Sequence, residues 1–146
     1  MVAEIIRMDV ELFFRIVFAC LLGALIGWER ERHRTTTSAG IRTYGAISLG
    51  ACAFGIVGSH LASADISRVA AQVVTGIGFL GGGIIFRQGD YVTGLTTAAT
   101  IWATAAVGLS VAMGMYFIAL LTALLIYLLL YLPRLKWWKK VSKKHE

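Results

Sequence analysis

The sequence predicts an all-α membrane protein, a bundle of five transmembrane helices with the N-terminus outside and the C-terminus in the cytoplasm. Three observations carry this expectation. The 146 residues are 58% hydrophobic and only 15% charged, with a mean hydropathy of +0.74, whereas soluble domains carry about 25% charged residues. Uncharged runs long enough to cross roughly 30 Å of hydrocarbon, which takes about 20 apolar residues, recur along the chain. Basic residues gather at alternate ends of those runs. Such a composition excludes both a disordered chain and an ordinary water-soluble globule.

The spans follow from the charge gaps. Between Glu11 and Glu29 the only charge is Arg15, which defines the first span. The second lies between Arg42 and Asp65, where no formal charge occurs, and the third is the uncharged run 69–86. Residues 91–133 are uncharged throughout. As one straight helix at about 1.5 Å per residue they would reach roughly 65 Å, so they must fold back once. Gly108, Ser110 and Gly114 mark the turn between the fourth and fifth spans, because Gly and Ser clusters punctuate apolar runs. The chain thus divides into a transmembrane domain over residues 1–133 and a basic cytoplasmic tail over residues 134–146. The first apolar stretch is expected to stay as a span, since no small-residue cleavage pattern follows it.

Orientation comes from the retention of Lys and Arg on the cytoplasmic side in short loops. Arg30, Arg32, Arg34, Arg42, Arg87 and the tail residues Arg134 to Lys144 supply eleven of the fourteen basic side chains, all on one side of a five-span chain. Trp28, Tyr44, Tyr91, Tyr131, Trp137 and Trp138 are expected at that same boundary, where amphipathic rings settle at headgroup level. The basic residues flank spans instead of lining a soluble face, so topology and anionic lipid account for a pI near 9.7 without nucleic acid. The tail reads as a lipid-facing anchor, or as a docking strip for an acidic partner.

Residues 76–81 spell GxGxxG, the dinucleotide-binding pattern, after a short β-prone run at 72–75. That pattern needs a strand, a turn and a helix with an acidic residue about 20 positions on. Here it lies inside an uncharged span and residues 96–100 contain no acid, so no nucleotide cofactor is expected. Cys20 and Cys52 fall in separate spans without metal spacing and read as buried thiols.

Glycines are expected to serve helix packing, because interfaces in lipid collect small residues that let backbones approach. Gly23 and Gly27 form GxxxG on the first span; Ala46, Gly50 and Ala53 continue the theme on the second. Ala71, Thr75, Gly78 and Gly82 form a stripe on the third. The run Gly81, Gly82 and Gly83 also admits a second reading, a broken helix exposing backbone to an ion as in discontinuous-helix transporters. A compact bundle or homo-oligomer is implied.

Polar residues inside or beside the spans are the candidate functional positions. Arg15 is either a functional intramembrane charge or a structural lock paired with Glu11 one turn earlier. Asp65 and Arg68 lie on its side of the membrane. Glu29 and Arg30 end the first span, Arg42 and Thr43 open the second, Arg87 ends the third, and Thr96 and Thr97 open the fourth. Antiparallel packing would gather these at the inner boundary. Gln72 is a polar residue within the third span, and Trp102 lies near mid-membrane, either filling a groove or facing a partner. Thr100 and Thr104 are expected to satisfy their own helix carbonyls. No Asp or Glu lies in the middle of a span, and no catalytic set converges at one depth. Dedicated Mg²⁺ transport by one copy, which calls for carboxylates, is therefore disfavoured, and no enzymatic activity or metal site is expected.

Four segments, GALIGWERE (23–31), AGIRT (39–43), RVAAQVVTGIGFLG (68–81) and GLTTAATIW (94–102), resemble the MgtC/SapB/YhiD family of bacterial inner-membrane proteins. Arg15, Glu29, Glu31, Arg42, Thr43, Asp65, Arg68, Gln72 and Trp102 occupy positions similar to that family's characteristic ones. Asp65 is followed by Ile66 where the family usually has Pro, and Gly82 stands where a small residue often separates two glycines. Members of the MgtC type also carry a soluble C-terminal domain, so this chain resembles a short form. The resemblance implies a bacterial inner-membrane protein tied to low Mg²⁺, acid or phosphate stress and to virulence. It further implies a role in modulating other membrane machinery, the ATP synthase or a transporter. The alternative is a small Mg²⁺ or H⁺ transporter using residues 81–83.

Overall fold

The computed structural model describes residues 2–32, 39–60, 66–89 and 91–134. Five helices form a bundle: α1 (Val2–Glu31), α2 (Ile41–His60), α3 (Ile66–Gly82), α4 (Leu95–Ala112) and α5 (Tyr116–Tyr131), the last running into a 3-10 turn, Leu132–Arg134. Four of them, α1, α2, α4 and α5 with its turn, are long and apolar enough to cross a membrane. The 17-residue α3 spans about 25 Å, the lower edge of what a crossing requires.

Neighbouring helices alternate in direction. Arg15, midway along α1, meets the last residue of α4, while Glu29 near the C-terminal end of α1 meets Arg134 after α5. Gly58 of α2 approaches Val69 of α3, and Gly81 of α3 approaches Ala98 of α4. The two ends of the described chain therefore lie at opposite ends of the bundle, here called the Arg15 end and the Glu29 end.

The central element is α4, which touches the other four helices and buries eleven of its eighteen residues. It reaches α2 closely because glycines remove the side chains between them. A Cβ on Gly108 would fall on the Ser48 carbonyl oxygen, and one on Gly55 would come within 2.6 Å of the Ala112 Cβ. Gly23 and Gly27, the first-span GxxxG, do the same for α1 against α2; a Cβ on Gly27 would lie 2.7 Å from the Gly40 oxygen. On α2 the packing stripe differs from the expected one. Ala46 is exposed and Gly50 meets nothing within 4 Å, while Gly45, Gly55 and Gly58 are buried. Both sets of small residues share helical spacing, and the chain buries the one beside Tyr44 and Ser48.

The α4–α5 turn falls at residues 113–115, where Gly114 takes φ +72° and the amides of Met113, Gly114 and Met115 return to the carbonyls of Leu109, Val111 and Ser110. Gly108 and Ser110, expected in the turn, are inside α4. The glycine run 81–83 does not break a helix in mid-span. α3 continues unbroken to Gly82, and the Gly83 and Ile84 amides close it on the carbonyls of Phe79 and Gly81. An antiparallel hairpin follows, β1 (Phe86–Gln88) and β2 (Tyr91–Thr93), pairing Phe86 with Thr93 and Gln88 with Tyr91. The sequence had suggested only a connection there. Residues 72–75, read as β-prone, are helical.

Candidate functional site

Three consecutive charged residues end α1, and successive helix positions point about 100° apart, so Glu29, Arg30 and Glu31 must address three different neighbours. Glu29, only 4% exposed, forms an ion pair with Arg134, whose guanidinium also lies 4.8 Å from the centre of the Tyr131 ring. Arg30, 7% exposed, donates from Nη2 to the Thr97 hydroxyl in the first turn of α4. The Glu31 carboxylate accepts from the Ile41 amide at 3.0 Å, satisfying one of the amides that the start of α2 leaves without a helical partner. One end of α1 is thereby fastened to α5, α4 and α2. Buried charge is costly unless paired, and here each buried charged group has a partner.

Behind this cluster lies a run of hydroxyls. Thr100 donates to the Thr96 carbonyl at 2.8 Å and Thr104 to the Thr100 carbonyl at 2.7 Å, as the threonine pattern led one to expect. The Thr100 oxygen is 2.6 Å from the Tyr44 hydroxyl, which therefore donates to it. Tyr44 is fully buried. It was expected among the boundary anchors but instead ties α2 to α4; Trp28 and Tyr91 are exposed, as anchors should be, and Trp137 and Trp138 lie outside the described residues.

At the Arg15 end, Arg15 donates to the Glu11 carboxylate at 2.5 Å, the expected i, i+4 pair, and from Nη1 to the Ala112 carbonyl at 2.7 Å. Carbonyls in the last turn of a helix have no helical donor and carry partial negative charge, so a guanidinium is well matched to them. Asp65 lies outside the described residues, and Arg68 is exposed on α3.

The remaining candidates do not join these clusters. Arg42 and Thr96 have exposed side chains. Arg87 is exposed on β1 and bonds within its own hairpin, to the Gly89 carbonyl. Thr43 near the start of α2 and Gln72 on α3 both line a long apolar groove of about 1140 Å³ between α2 and α3. Trp102 is 52% exposed on α4, the helix otherwise most covered. Of the six glycines expected to pack, Gly23, Gly27 and Gly81 meet a neighbouring helix, Gly83 meets only carbonyls of α3, and Gly78 and Gly82 meet nothing within 4 Å. Two participants were missed, Arg134 and Tyr44; the run of three charges at the end of α1 signalled that three partners were needed, but not which. Cys20 and Cys52 are free thiols, and among the described residues no three metal-ligating side chains come together.

Comparison with known proteins agrees with this architecture. The MgtC family model matches residues 16–136. The chain is similar to Protein MgtC of Brucella abortus, 58% identical over 93 residues that make up 62% of this chain and 37% of that one. It is also similar to Protein MgtC of Salmonella typhimurium, 45% identical over 112 residues, 76% of this chain and 47% of that one. The chain thus spans less than half the length of these relatives. No solved structure matches. A helical bundle with membrane-crossing helices, held at one end by the residues of the GWERE segment and matched by the family model over most of its length, places the chain in the MgtC family, a multi-pass protein of the bacterial inner membrane.

Proposed function

We propose that this protein acts without catalysis, by binding and modulating another machine of the inner membrane during adaptation to low Mg²⁺, acid or phosphate stress. The reading is supported by how the polar side chains are spent. Glu29, Arg30, Glu31 and Arg15 fasten helices to one another, which suits a scaffold. The observation that carries the reading is Trp102: an indole in the middle of the most covered helix, half exposed and away from the headgroup level where such rings settle, is a contact waiting for another protein. The partner class implied by the family resemblance is the ATP synthase or an ion transporter. The basic Glu29 end faces the cytoplasm in this reading.

Affinity capture of the full chain from Mg²⁺-limited membranes tests it. A stoichiometric membrane partner, lost in Trp102→Ala, is the expected result. Mg²⁺ or H⁺ flux through the purified protein alone in liposomes would overturn it in favour of a transporter.

A further inference from the structure

The outward face of α3 is not built for lipid. Lipid tails are as apolar as leucine, and the outward face of α5 shows what they select: Leu120, Leu121, Leu124, Leu125, Leu128 and Leu129 are all exposed. On α3 only Gly81 is buried, and Val69, Ala70, Val73 and Ile77 turn toward the bundle. The opposite face carries Ala71, Gln72, Thr75, Gly78, Phe79 and Gly82, all exposed. Thr75 satisfies its hydroxyl on the Ala71 carbonyl at 2.9 Å. Gln72 makes no hydrogen bond among the described residues, although it is the seventh of seventeen positions in α3 and so lies well inside the span. A primary amide left bare in hydrocarbon costs several kcal/mol on transfer scales. Beside this face lies the groove between α2 and α3, and on its rim Phe79 stands 83% exposed, the most exposed large apolar side chain in the described chain.

We infer that α3 is the interface of a homodimer, in which Phe79 of each copy fills the α2–α3 groove of the other. Two copies inserted in the same sense are related by a two-fold axis along the membrane normal, so equal depths meet. The groove runs from Thr43 to Phe54 on α2 and from Val69 to Ile84 past the end of α3, and Phe79 itself lines it, so its length takes in the depth at which the partner's Phe79 arrives. Gln72 then meets the partner's Gln72, and two primary amides pair with each other where neither finds a donor or acceptor alone. Gly78 lets the two backbones approach. An exposed aromatic ring presents about 200 Å². Phe79 and Phe54, which is 62% exposed in the same groove, therefore bring about 300 Å² per copy. Leu80, Gln72 and the small residues of the same face and groove add to this, toward the order of 800 Å² per partner that stable interfaces bury.

The test uses the full chain in native membranes, with Cys20→Ser and Cys52→Ala removing the native thiols. Oxidation of Thr75→Cys or Gly78→Cys is expected to give disulfide-linked dimer at least tenfold above Leu124→Cys on the lipid face of α5. In liposomes, Gly78→Leu, at a position that touches nothing within its own chain, is expected to raise the dimer dissociation constant at least tenfold, and Phe79→Ala likewise, with the thermal stability of the chain in detergent unchanged. Equal cross-linking at Leu124→Cys, a monomer at every protein-to-lipid ratio, or a lipid or foreign peptide retained in the groove by native mass spectrometry would overturn the inference.

Discussion

The guanidinium of Arg15 donates to the carbonyl of Ala112 across 97 positions of sequence, so the middle of α1 and the last turn of α4 are joined by one side chain. The same guanidinium is held by Glu11. Hydrogen bonds to charged groups contribute about 1.5 to 3 kcal/mol. Arg15→Met is therefore expected to lower stability by about 2 kcal/mol, and Arg15→Lys, which keeps one charged donor, by less. Thermal unfolding in detergent measures the pair, and equal losses for both variants would count against the carbonyl contact.

Removing Arg134 leaves the buried Glu29 carboxylate without its ion-pair partner, a loss expected to cost about 3 kcal/mol. Adding Glu29→Gln to Arg134→Ala should restore part of that, because a neutral amide is cheaper to bury than a carboxylate without its counter-ion. A double-mutant cycle reads the coupling directly. Strictly additive effects would show that the two side chains do not interact.

Glycine substitutions separate packed from open positions. Gly108→Ala drives a methyl group into the Ser48 carbonyl and is expected to cost about 2 kcal/mol, the range for overpacking. Gly50→Ala meets nothing within 4 Å and gains helix propensity, so it should be neutral or stabilising by up to about 1 kcal/mol. Chemical unfolding of the two variants side by side checks the order.

The proposed orientation has its own test. With the native thiols replaced, a membrane-impermeant thiol reagent is expected to label Arg7→Cys from outside intact cells and to reach Arg87→Cys only after permeabilisation. The reverse pattern would invert the chain in the membrane.

Much of the bundle was legible because charge is so expensive in hydrocarbon that its gaps outline the spans. The pairing of Arg15 with Glu11 was legible because it is local, one turn apart on one helix. What escaped depends on which way a helix faces or on where two distant ends meet. Tyr44 carries the same ring whether it sits among headgroups or is buried against Thr100, and only the packing of α2 decides. Arg134 read as the start of a basic tail because nothing local ties it to Glu29, 105 positions earlier. The hairpin was hidden because two strands of three residues are too short to show an alternation. Ala46 and Gly50 misled because a stripe of small residues looks the same whether it meets a neighbour or opens onto a groove.

Two arginines of a single helix grip α4 near its opposite ends, Arg30 at Thr97 and Arg15 at Ala112. Sliding α4 along α1 by one helical turn, about 5.4 Å, would tear both contacts at once. Piston strokes of that pair are thus opposed at both grips, and a movement passed on from Trp102 in the proposed complex would have to run sideways across the bundle.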